Sequence, residues 1–84
     1  MRDRRSGAVS GMVGLLVRSF VDHPEEVQVS EASRSDTIVV ELRVDPDDMG
    51  KVIGRQGRTA RALRSLVSLA GEKLGCRALL RILE

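Results

Sequence analysis

The run Met49-Gly50-Lys51-Val52-Ile53-Gly54-Arg55-Gln56-Gly57-Arg58-Thr59-Ala60-Arg61 holds the clearest chemistry in the chain. Gly54 and Gly57 bracket two residues, so the backbone can turn tightly and approach another backbone with no side chain in the way. Lys51, Arg55, Arg58 and Arg61 surround that turn with positive charge, and no acid follows it before Glu72. A helix starting just past Gly57 would aim its first amides, and the positive end of its dipole, at the same point. This is equipment for gripping a phosphodiester strand.

The residues that could do other chemistry are sparse. His23, the single histidine, precedes Pro24 and reads as a helix-end or surface residue rather than a catalyst. Cys76 begins an apolar alternation and reads as a small buried residue; one Cys and one His far apart are poor material for a zinc site. Gly50-Lys51 lacks the earlier glycine and the following Ser or Thr of a nucleotide-binding P-loop. Asp45-Pro46-Asp47-Asp48 looks like an acid cluster, but an Asp cap, a Pro in the first turn and further acids describe a helix start. No catalytic residues, metal ligands or cofactor site emerge, so the chain reads as non-enzymatic.

The elements that must position the glycine turn follow from periodicity. Val9, Met12, Val13, Leu16, Val17, Phe20 and Val21 recur at helical spacing, with Ser6 or Gly7 as a cap and His23-Pro24 as the stop. Phe20 falls on that stripe and is expected in the core. Residues 27–30 alternate as a short strand, and residues 31–36 are polar and turn-like. Residues 37–44 form the clearest strand, with Ile38, Val40, Leu42 and Val44 on one face and Val39, Glu41 and Arg43 on the other. A short helix follows Asp45 and stops at Gly54. A long one runs from about Arg58 to Leu74 on a stripe of Ala60, Leu63, Val67, Ala70 and Leu74, with Gly75 placed to end it. A last strand spans residues 76–83. The order α-β-β-α-α-β predicts an α+β fold: a hairpin, then a parallel strand reached through helices, giving a three-stranded mixed sheet with three helices on one face.

The 84 residues suffice for one modest core. Residues 1–7 read as a basic flexible N-terminus and 8–84 as a single domain. The formal net charge of +2 conceals an asymmetry. Residues 20–48 carry nine acids against two Arg, whereas residues 49–84 carry eight basic residues against two acids. Such a division suggests a basic face for an anionic partner. The basic start followed by apolar residues superficially imitates a signal peptide, but glycines interrupt the run and no cleavage site is evident. No stretch approaches a membrane span, and a lone cysteine fits a reducing compartment, so a soluble, cytoplasmic protein is expected. Phe20 is the sole aromatic, which argues against recognition by stacked aromatic platforms and leaves an aliphatic groove.

A bare Gly-x-x-Gly carries little weight; Gly11-Met12-Val13-Gly14 is a second instance, with no basic residue, and reads as a small-residue contact surface. Context distinguishes Gly54–Gly57. The segment Val52-Ile53-Gly54-Arg55-Gln56-Gly57-Arg58 resembles the signature of K homology (KH) modules, and the element order resembles their type II arrangement. With residues 23–29 and 40–49, the resemblance extends over about residues 9–83 to the small stand-alone bacterial KH proteins of the KhpA family. The resemblance implies a clamp formed by Gly54, Arg55, Gln56 and Gly57 on single-stranded RNA. Lys51, Arg58 and Arg61 would meet flanking phosphates, and Val52 and Ile53 would help floor the groove. For Lys51 an ordinary solvated charge is an equal alternative; Val52 and Ile53 read first as core packing, with which a groove role can coexist. It also implies RNA chaperone activity, a homodimer or a heterodimer with a larger KhpB-type KH protein, and a link to cell elongation and wall synthesis. Two other readings stay open: a protein-interaction subunit using the open sheet face (Val39, Leu79, Leu83) or the Gly11/Gly14 surface, and a single-stranded DNA binder.

Overall fold

The computed structural model describes residues 7–84; the expected basic N-terminal segment, apart from Gly7, lies outside the described residues. The chain forms α1 (Ala8–Arg18), β1 (Gln28–Arg34), β2 (Thr37–Arg43), α2 (Met49–Ile53), α3 (Arg58–Lys73) and β3 (Arg77–Leu83). Short 3-10 turns at Pro24–Glu26 and Pro46–Asp48 lead into β1 and α2. The sheet order is β1-β2-β3. β1 and β2 pair antiparallel with Val29 opposite Leu42, and β2 and β3 pair parallel with Val40 opposite Leu80. This is the mixed sheet and α+β arrangement of a type II KH fold.

Alternation sorts the strands into two faces. Ile38, Val40 and Leu42 of β2, with Ala78 and Leu80 of β3, point inward and are buried. Val9, Val13 and Val17 of α1, Val52 of α2, and Ala60, Leu63 and Val67 of α3 close over them. Burying these stripes is what stabilises helices that are short or glycine-bearing in isolation. Among the described residues, no helix lies on the opposite face of the sheet.

Four features depart from the sequence reading. α1 stops at Arg18, so Phe20 is 36% exposed and is not part of the core. The backbone there is drawn elsewhere: the buried Asp48 carboxylate accepts from the amides of Asp22 (3.0 Å) and His23 (2.9 Å). β1 runs through residues 31–34, which look like a turn in sequence, because each pairs with a β2 residue; tertiary pairing outweighs weak local preference. Only Ser35 and Asp36 remain as the turn, with Ser35 at φ +54°. Glu31 faces the helices and caps α1 from a distance, accepting from the Gly7 amide at 2.9 Å and the Ser10 amide at 3.0 Å. Finally, Gly14 is buried and is not a surface for partners. A Cβ there would lie 2.6 Å from the Arg18 guanidinium, which crosses it to donate to the Val27 carbonyl at 3.1 Å.

The end of α3 follows expectation in detail. The Gly75 amide donates to the Glu72 carbonyl and the Cys76 amide to the Gly71 carbonyl, with Gly75 at φ +79°, the Schellman pattern. Cys76 itself is half-buried rather than enclosed. Gly71 sits so close to β3 that a Cβ would meet the Ala78 Cβ at 2.7 Å.

Candidate nucleic-acid interface

The loop between α2 and α3 is assembled from both sides. Asp45 accepts from the Asp47 amide at 2.8 Å, starting the turn that becomes α2. Val52, wholly buried, fastens α2 to the core. The Gly54 amide then donates to the Gly50 carbonyl at 2.8 Å, and the chain leaves the helix with Gly54 at φ +78°, ψ 169°. Gln56 (φ +56°) and Gly57 (φ +74°) are left-handed, and α3 begins at Arg58.

The two glycines serve different physical ends. A Cβ on Gly54 would stand 2.8 Å from the Thr59 backbone nitrogen, so this position is closed by sterics as well as by its dihedral angle. Around Gly57 the nearest atom to a built Cβ is Arg61 Nη2 at 3.9 Å, so its requirement is conformational. The tetrad is not covered: Arg55 and Gln56 are exposed, and the glycines are half-buried.

Charge converges on the same place. Arg61 Nη2 donates to the Gln56 carbonyl at 2.8 Å, and Arg58 Nη2 to Gln56 Oε1 at 3.3 Å, so both guanidiniums fold back beside the loop. The first turn of α3 contains no acid, and its cap residue, Gly57, makes no side-chain cap bond. An anion placed here would meet the positive end of the helix dipole. Lys51 Nζ lies 3.2 Å from the Asp22 carboxylate, but both side chains are about half exposed or more, so the pair is weak.

A comparison with protein families matches residues 11–82 to the one described as KhpA/KhpB, KH domain. The chain belongs to this KhpA/KhpB KH-domain family. Proteins named RNA-binding protein KhpA are similar over most of its length. That of Aquifex aeolicus is 48% identical over 77 residues, 92% of this chain and 98% of the relative. That of Halalkalibacterium halodurans is 49% identical over 73 residues, 87% and 96% of the two chains. That of Streptomyces coelicolor is 55% identical over 56 residues, 67% and 71%. No solved structure gives a significant match. The KH family is a class of binding modules, not of enzymes.

Within this KH-domain chain, the structure brings Lys51, Gly54, Arg55, Gln56, Gly57, Arg58 and Arg61 onto one short stretch around the loop. It separates the two residues expected to floor a groove. Val52 has no exposed surface and can act only from the core, whereas Ile53 is 37% exposed and available to a base. A mostly apolar concavity at the start of α2 is lined by Val44, Pro46, Met49 and Glu84. Asp48 and Thr59 are supporting residues that the sequence did not single out. Asp48 holds the 22–23 backbone under the helix start, and Thr59 is the neighbour that makes Gly54 obligatory. His23, Asp45 and Asp47 bring ligand-type atoms within 4.8 Å of one another, a convergence invisible in sequence; Asp45 already serves the helix start. Among the described residues, no helix is long and apolar enough to cross a membrane.

Proposed function

We propose that this protein is a non-enzymatic, cytoplasmic RNA-binding protein that holds single-stranded RNA at the loop of residues 54–57. The supporting observation is the exposed left-handed turn, flanked by Arg55, Arg58 and Arg61, at a helix start with neither acid nor side-chain cap. In this reading phosphates approach the backbone over Gly54 and Gly57, where no side chain intervenes. Arg55 reaches the strand directly. Arg58 and Arg61 exchange their contacts with Gln56 for charge-assisted bonds to phosphate. Lys51 exchanges a weak surface pair with Asp22 for the same purpose. Ile53 offers an aliphatic surface to a base.

The names of the relatives support RNA as the ligand. A module that grips about four nucleotides binds weakly by itself, and joining two raises avidity without new contacts. A homodimer, or a pair with a KhpB-type KH protein, fits that arithmetic and the family resemblance; action as an RNA chaperone rests on the resemblance. A role in cell elongation and wall synthesis rests on the resemblance alone.

Two experiments decide among the readings. Competition between matched RNA and DNA oligomers is expected to favour RNA; preferential retention of DNA overturns the choice of ligand. In-cell crosslinking should recover RNA with the wild type and little with the variant Arg55→Asp/Gln56→Asp. Unchanged crosslinking, with function lost only when partner co-purification is lost, establishes a protein-interaction subunit instead.

A further inference from the structure

The register of the sheet gathers arginines on the face that no helix covers. Pairing aligns Arg34 of β1, Thr37 of β2 and Arg77 of β3 in one row across the strands. The next outward row is Ala32, Val39 and Leu79, followed by Ser30, Glu41 and Arg81. Arg34, Arg77 and Arg81 are all exposed, and Leu79 is 48% exposed. The acid within these rows, Glu41, forms an exposed ion pair with Arg81 at 3.1 Å. Arg34 and Arg77 lie two strand spacings apart, about 10 Å. A shallow concavity on this face is lined by Ala32, Arg34, Thr37, Val39, Glu41 and Arg81, among others.

We infer that this open face is a second contact for single-stranded RNA, separate from the loop. The inference rests on the reading that the chain binds RNA. Guanidinium forks suit phosphate oxygens, and a base can lie on the aliphatic row between them. The charge balance argues for a polyanion rather than a protein. The outward apolar residues are Ala32, Val39 and Leu79 in one row and Leu83 two rows on, with Glu41 and Arg81 in the row between, so they do not form the continuous apolar centre of a protein interface. The Arg34/Arg77 row lies at the hairpin and Schellman-turn end of the sheet. The loop follows the opposite end of β2, after Arg43 and the 46–48 turn. A strand held at the loop and a segment held on the open sheet face are therefore different stretches of RNA.

The test compares three folded proteins, matched by thermal unfolding: wild type, Arg34→Gln/Arg77→Gln, and Arg55→Asp/Gln56→Asp. Each is titrated with a short oligomer filling only the loop, about 4 nucleotides, and with one of about 16. The sheet variant should bind the short oligomer like the wild type. On the long one it should lose about tenfold affinity, and its log–log salt slope should fall by about 1.4, the value for two single-strand phosphate contacts. The loop variant should lose the short oligomer yet retain salt-sensitive residual binding to the long one. Long-oligomer binding by the sheet variant equal to wild type overturns the second contact while leaving the loop untouched. Altered self-association or partner capture with unaltered RNA binding also overturns it, assigning the face to protein. Failure of the loop reading shows separately, as short-oligomer binding that survives in the loop variant.

Discussion

Gly54 and Gly57 share a motif but not a physical constraint, and substitution should separate them. Gly54→Ala meets Thr59 and a left-handed dihedral together, so it should lower stability by about 2 kcal/mol or more and deform the loop. Gly57→Ala meets only the dihedral penalty, about 1 kcal/mol. Urea unfolding of the two variants measures the difference; equal losses contradict the account. Asp48 supplies a second prediction at this scale. Its buried carboxylate accepts from two amides of the 22–23 segment. Asp48→Ala leaves both unsatisfied and should cost about 2–4 kcal/mol in the same assay, although no functional atom is removed. Asp45 and Asp48 look alike in sequence, three residues apart in one acidic run. The helix-start pattern identifies Asp45, whereas the work of Asp48 depends on backbone 25 residues away and leaves no local signal.

Among the elements, periodicity together with helix-start and stop signals locates the α-helices and strands but not all of their ends. β2 was legible because alternation and β-branched residues agree along its whole length. β1 was legible only in part, since an edge strand with one solvated face can be as polar as a turn, and its extent is set by its partner. The end of α1 is not legible in sequence: helical spacing continues to Val21, but the helix stops at Arg18 and the Asp22 amide is bound by the Asp48 carboxylate. The two glycines of α1 illustrate the same limit. Gly11 is exposed with nothing near a built Cβ, so Gly11→Ala should stabilise the protein by about 0.5–1 kcal/mol. Gly14→Ala gains similar helix propensity but must displace Arg18 from its bond to the Val27 carbonyl, so it should be near neutral. Thermal unfolding distinguishes them; a stabilised Gly14→Ala contradicts the packing described. The loop tetrad was readable because its requirement is local, and the flanking cations follow it directly in the chain. Burial gives Val52 the core-packing role that an apolar residue on a short helix suggests, and leaves Ile53 as the exposed member of the pair.

At the scale of the whole molecule, the net charge of +2 says little and its distribution says more. The acid-rich segment of residues 20–48 is partly spent on architecture: Glu31 caps α1, Asp45 starts the turn before α2, and Asp48 anchors the backbone beneath it. The basic segment instead ends in exposed arginines around the loop. Binding at the loop should therefore weaken steeply with salt, with a log–log slope of about −3 for the four single-strand phosphate contacts of Lys51, Arg55, Arg58 and Arg61. A flat response between about 50 and 200 mM salt is incompatible with a phosphate grip.

The most direct test is titration of a single-stranded RNA oligomer into wild type and Arg55→Asp/Gln56→Asp. Aspartate tolerates the left-handed region that Gln56 occupies, so the fold should survive, as thermal unfolding can verify. The structure predicts that binding falls by about tenfold or more as two acids enter the phosphate path. A folded variant that binds as tightly as wild type contradicts an RNA grip at residues 54–57.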